Sequence, residues 1–171
     1  FYTLKIEDLH SIHNNNPFLH SFDIDGKIKY IKQYNDRDLL VFFYAWLAWE
    51  PENIFFQSML NSGALLKIKN QKLRREIESI YTRQEERVNG MAIVTRNNGT
   101  PAMEWFTEKE DLYKSDILLK DIFYKHRDQK LKNIMKKKSG TLKNRIIDLE
   151  NYLQSLQNVV KLISTEYKKL D

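Results

Sequence analysis

Residues 141–170, TLKNRIIDLENYLQSLQNVVKLISTEYKKL, decide the fold class. Leu142, Ile146, Leu149, Leu153, Leu156, Val160, Ile163, Tyr167 and Leu170 follow one another at alternating steps of four and three. That spacing lays one apolar stripe along a helix, and its persistence over four repeats makes a heptad seam. A seam of this kind is buried either against another chain, as a coiled coil, or within its own domain. Within one compact domain the simpler solution is a bundle helix packed antiparallel against its predecessor.

Upstream of the seam, Lys138-Ser139-Gly140-Thr141 reads as a tight helix–helix turn. A long helix is expected before it, from about Glu104 to Lys137, with Trp105, Leu112, Ile117, Leu119, Ile122, Phe123, Leu131 and Ile134 as less regular apolar contacts. Asn97-Asn98-Gly99-Thr100-Pro101 is the strongest loop signal in the chain. Before it, Leu73, Ile77, Ile80, Gln84, Val88 and Met91 predict a helix that Asn70 caps and that runs towards Arg96. Arg74, Arg75, Glu78, Arg83, Glu85, Glu86 and Arg87 form its charged outer face.

Gly63 reads as the C-cap of a helix that passes through Ile54, Phe55, Ser58 and Met59, with Ala64 to Lys69 as a short connector. Pro51 separates that helix from an earlier one opened by Asp36-Arg37-Asp38. The earlier helix points Leu39, Leu40, Phe43, Trp46 and Leu47 to the core. Phe42, Tyr44 and Trp49 make it apolar almost all round. The first 36 residues say least: a short helix over Thr3 to Asn14, a break at Asn14-Asn15-Asn16-Pro17, and a loop over Phe22 to Ile28.

The fold expectation is therefore all-α: an antiparallel bundle of about four main helices with shorter N-terminal elements, in one domain over residues 1–171. Composition agrees. The chain of 171 residues has only five Gly and three Pro, so long helices are favoured over strands and turns. It has no cysteine, which excludes disulfides, thiolate metal sites and Cys nucleophiles. A formal charge of +5 is a mild basic excess, below that of most dedicated nucleic-acid binders. The most apolar run, Leu39 to Trp49, is too short to span a bilayer, which takes about 20 residues. The chain begins with Phe1 rather than Met, so a longer native chain is expected.

Residues 61–77, NSGALLKIKNQKLRREI, carry a resemblance. Their pattern of a small residue, Ser-Gly, Leu, Ile, Lys-Asn and Leu-Arg is similar to a turn between two helices in a family of uncharacterised bacterial membrane-anchored proteins, a domain of unknown function. The C-terminal LISTEYKKL, residues 162–170, resembles the end of that family. The likeness covers Ile54 to Val88 and the tail. It implies an N-terminal transmembrane helix ahead of this region, an inner-membrane location, and a helical domain on the extracytoplasmic side. It brings no activity and no functional residues. Physically, the same turn is a helix stop and start, in which Gly63 ends one helix and Asn70 begins the next.

Candidate chemistry is sparse. Glu7, His10 and His13 lie three residues apart on the first helix, as in the Glu-x-x-His pairs of carboxylate-bridged metal bundles. Such sites need a second pair, which the sequence lacks, so an exposed N-terminal helix is the preferred reading. Lys130, Lys132, Lys136, Lys137 and Lys138, with Lys143 and Arg145, gather cations around the expected hairpin turn, where they would meet phosphates of nucleic acid or lipid. Only Tyr124 is near for base stacking, so a solvated helix tip is preferred. Phe43, Trp46, Trp49 and Phe55 belong to an aromatic cluster that either lines a ligand pocket or, more simply, fills the core.

Serine-triad, phosphate-loop and zinc-protease motifs are absent from the sequence. No cofactor is expected. The leading functional expectation is a non-enzymatic interaction or sensing domain of a membrane-anchored protein, with a protein or small ligand as partner. A nucleic-acid-binding module using residues 125–145 is the second, and a metal-dependent enzyme using Glu7, His10 and His13 the third.

Overall fold

The computed structural model describes residues 5–20, 33–44, 53–114, 117–126 and 128–167. Among them there is no strand, and the fold is all-α. The helices are α1 (Ile6–Asn14), α2 (Asp36–Tyr44), α3 (Ile54–Asn61), α4 (Gln71–Ser79), α5 (Glu85–Asn97), α6 (Thr100–Lys109), α7 (Leu119–Lys125) and α8 (Gln129–Tyr167). A 3-10 turn over Ala64–Lys67 follows α3, and a π turn over Ile80–Gln84 joins α4 to α5.

Local chemistry sets most of these boundaries. At the start of α1 the Lys5 N–H donates to the Asp8 carboxylate. At α2 the Asn35 side chain accepts from the Asp38 N–H at 2.9 Å. Gly63 adopts φ 68°, a conformation open to glycine, and ends α3 as expected. Asn70 accepts from the Leu73 N–H at 3.1 Å and starts α4. The π turn makes α4 and α5 one uninterrupted helical rod.

Two expectations are corrected here. The helix expected over 104–137 is three helices, because Glu110 leaves helical geometry at φ −148° and His126 is extended at φ −108°, ψ 94°. The turn expected at Lys138-Ser139-Gly140-Thr141 does not form. α8 runs straight through it for 39 residues, since Lys138, Ser139 and Thr141 find buried polar partners while remaining helical. The loop expected at 97–101 is shorter too, with Pro101 inside the first turn of α6, where its missing N–H costs nothing.

The packing falls into two units. The first comprises Phe1–Leu47 and Ala92–Ile146, the second Ala48–Met91 and Ile147–Asp171. In the first, Leu39, Phe42, Phe43, Trp105, Phe106, Ile122, Phe123, Leu131 and Met135 form the core. Phe43 meets Phe106 edge to face at 5.8 Å, and Trp105 meets Phe106 at 5.1 Å. Gly99 permits the close approach of α2 to the α5–α6 junction, because a Cβ there would lie 2.9 Å from the Phe43 carbonyl oxygen. Leu40, expected in the core, is exposed on α2.

In the second unit Ile80, Val88 and Tyr152 are buried together, with Tyr81, Leu149, Leu156 and Val159 against them. Phe56 stacks on Tyr81 at 4.4 Å with planes 8° apart. Arg87 pairs with Asp148 at 2.9 Å, and Asn70 donates to Glu166 at 2.5 Å. Most of the described heptad seam is used: Leu142 and Ile146 are buried, and Leu149, Leu156 and Ile163 half-buried. Leu149, Leu156 and the flanking Tyr152 and Val159 take the buried side, so Leu153 is 44% and Val160 62% exposed. Beyond Ile146 the buried stripe drifts to one side of the heptad line. No helix among the described residues is long and apolar enough to cross a membrane.

Candidate functional site

The residues singled out from the sequence do not converge. Phe43 is fully buried in the core of the first unit, whereas Phe55 on α3 of the second is 81% exposed. Trp46 and Trp49 lie outside the described residues. Glu7, His10 and His13 sit on α1 as expected. His13 is hydrogen-bonded to the neighbouring Asn14 side chain, and no group of three metal-ligating side chains occurs among the described residues.

The five lysines of the expected basic tip are a correction of a different kind. With no turn at 138–141, they lie along one continuous helix and face different surroundings. Lys130 pairs with Glu108 at 2.5 Å, Lys132 is half-buried, and Lys136 and Lys137 are exposed. Lys138 is fully buried and its Nζ donates to the Thr95 carbonyl at 3.0 Å. Close by in sequence, Lys125 pairs with Glu110, and Lys109 with Asp128 at 2.8 Å. Lys125 and His126 hold the Glu110 carboxyl down at about 2, so it stays ionised beside them. Acids from α6 and its following segment thus neutralise much of the charge that the sequence concentrates there.

Lys138 belongs to a buried polar layer in the first unit. Asn98 donates to Thr141 at 2.7 Å, and Thr141 donates to the Lys137 carbonyl at 2.7 Å. Asn16 donates to Ser139 at 3.4 Å, accepts from the Leu19 N–H at 3.2 Å, and takes the Tyr34 hydroxyl on its carbonyl at 3.3 Å. Burial, and then the neighbouring Arg145 charge, lower the Lys138 ammonium to about 8. These groups lock α1, α5 and α8 in one register; they face one another rather than a ligand.

A cleft of about 500 Å³ opens on the same unit, lined by Gln33, Tyr34, Asn35, Lys120, Asp121 and Tyr124. The Tyr34 N–H donates to the Tyr124 hydroxyl at 2.5 Å, and the Lys120 N–H to Asp36 at 2.9 Å. Burial, Tyr124 and Asp38 push the Tyr34 hydroxyl up to about 12, so it remains a donor at neutral pH. The bowl is polar and open to solvent.

In the second unit several exposed apolar side chains gather on α3 and the turn after it. Ile54 and Phe55 on α3 are 69% and 81% exposed, Leu60 is exposed, and Leu66 in the 3-10 turn is 73% exposed. Phe56 alone anchors α3 in the core. Lys67, Lys69, Lys72 and Arg75 are exposed just beyond, and the described structure gives none of them an ion pair. Arg74 reaches Glu78 at 3.9 Å. Sequence reasoning missed this surface because it read Ile54 only as part of a helix, Phe55 as core or pocket lining, and the following turn as purely structural. The signal was present: no acidic residue occurs between Asn53 and Arg75.

The second unit also buries a carboxylate. Glu85 follows the π turn, shares a hydrogen bond with the Asn53 side chain, and is pushed up by burial. Its Oε2 has no hydrogen-bond partner in the described structure. Tyr152, itself raised by burial and by Glu85, lies next to it. Comparison with known proteins adds no assignment: no family model, no curated protein and no solved structure matches the chain.

Proposed function

We propose that this chain is a non-enzymatic interaction or sensing domain of a membrane-anchored bacterial protein, held on the extracytoplasmic side. The observation that supports interaction over chemistry is the exposed apolar surface of the second unit. Large side chains left in water on this scale are commonly covered by a partner. The groups of the polar layer and the cleft, by contrast, are engaged with one another. The anchoring and the side of the membrane come from the resemblance of residues 54–88 and the tail.

The experiment is localisation of the full-length protein in its native cell. It is expected in the membrane fraction, resistant to salt wash, with this domain digested by protease added to spheroplasts. Recovery in the soluble fraction, or protection from protease until the cells are lysed, would overturn the reading.

A further inference from the structure

We propose that the edge of the second unit formed by α3, the 3-10 turn and the first turn of α4 is a docking surface for an anionic lipid bilayer. The proposal rests on the interaction reading above and names the partner of that surface.

Three observations carry it. First, α3 is an eight-residue helix without a single charged side chain, and only Phe56 of it is buried. Ile54, Phe55 and Leu60 are left in solvent, and Leu66 joins them from the turn that Gly63 folds back against α3. Second, every charged residue from Asn53 to Arg75 is cationic: Lys67, Lys69, Lys72, Arg74 and Arg75. Third, among the described residues four of these cations have no ion-pair partner, while Arg74 reaches an acid at 3.9 Å. One carboxylate that reaches the edge, Glu166, is occupied by the Asn70 side chain at 2.5 Å.

Exposed apolar side chains followed at once by unpaired cations suit a bilayer interface. The apolar groups enter the boundary between headgroups and acyl chains, and the ammonium groups stay at the depth of lipid phosphates. A protein groove would more commonly meet such cations with acids of its own, and a nucleic acid would have little use for Ile54 and Leu66. A second copy of this chain brings the same cations to the contact and would be repelled by them.

The test is co-sedimentation of the 171-residue chain with vesicles of phosphatidylcholine alone and of phosphatidylcholine with phosphatidylglycerol. Binding is expected to the anionic vesicles only, and to weaken with salt. Replacing Lys67, Lys69 and Lys72 together by Gln should weaken it roughly 100-fold, at about fivefold per cation near an anionic surface. The double variant Phe55→Ser, Leu66→Ser should weaken it by roughly tenfold or more. Both changes are at exposed positions, and unchanged circular dichroism melting confirms that the fold is kept.

The control Lys136→Gln, Lys137→Gln removes exposed charge from α8 and should leave at least half the binding in place. No binding to anionic vesicles at low salt overturns the proposal. So does an equal loss in the control, which would make the effect one of net charge. Self-association abolished by the Phe55, Leu66 double variant, without vesicle binding, overturns it in favour of a second copy. Each of these results leaves the localisation of the full-length protein to be decided by its own measurement.

Discussion

Two regions of the molecule, the buried polar layer of the first unit and the α3 edge of the second, use their side chains in opposite ways. The first buries polar groups and satisfies them: Lys138 against the Thr95 carbonyl, Asn98 against Thr141, Asn16 against Ser139. The second leaves apolar groups in water and cations unpaired, at Ile54, Phe55, Leu66, Lys67 and Lys69. A buried polar group is costly unless paired, and once paired it fixes register. An exposed apolar group contributes little to folding. The polar layer therefore reads as scaffold and the α3 edge as the bearer of a surface.

The sharpest way to break that contrast is to truncate one aromatic in each unit. Trp105→Ala removes a fully buried indole whose N–H also donates to Asp128 at 3.1 Å. It should cost about 3–5 kcal/mol in urea unfolding. Phe55→Ser removes an exposed ring and should stay within about 0.5 kcal/mol of the parent. Similar costs for the two would show that Phe55 is covered in the isolated chain and that the second unit has no free apolar face.

A smaller effect separates burial from pairing within the scaffold. Lys138 is lowered from 10.5 to about 8 by burial and by Arg145. In the unfolded chain it keeps its proton up to about pH 10, so between pH 8 and 10 the unfolded state binds more protons. Stability should therefore rise with pH across that window, by an amount on the order of 2 kcal/mol. Above pH 10 the trend reverses, because Tyr34 holds its proton to about 12 when folded and loses it sooner when unfolded. Lys138→Met keeps the bulk without the charge and should flatten the rise, as read from urea midpoints at pH 7, 8.5 and 10. A parent protein whose stability is level from pH 8 to 10 would mean that Lys138 is solvated.

Much of the fold was legible in the sequence. Gly63, Asn70 and the acidic start of α2 end or begin helices through side-chain and backbone chemistry confined to a few residues, and local signals of that kind can be read directly. The long helix of residues 104–137 failed because its breaks at Glu110 and His126 carry no Gly or Pro. They follow from how Trp105, Phe106, Ile122 and Phe123 must meet in one core. The Lys-Ser-Gly-Thr segment failed for the converse reason. It has the composition of a turn, yet tertiary hydrogen bonds hold it helical. The surface on α3 was hidden by a third effect, since periodicity tells which residues share a face but not whether that face is covered.

The smallest effect decides what the 138–141 segment is. Gly140 lies inside α8, exposed, and a Cβ built there meets nothing within 4 Å. In a continuous helix, Gly140→Ala removes backbone freedom from the unfolded chain without a clash, and should stabilise by about 0.5–1 kcal/mol. Had the segment been the turn its composition suggests, with glycine in left-handed geometry, the same change would destabilise by a similar amount. A small rise in the thermal midpoint would therefore establish that one unbroken helix supplies Lys138 to the scaffold's polar layer and Tyr152 to the core of the second unit. A fall would return the cations at 136–138 to a helix tip.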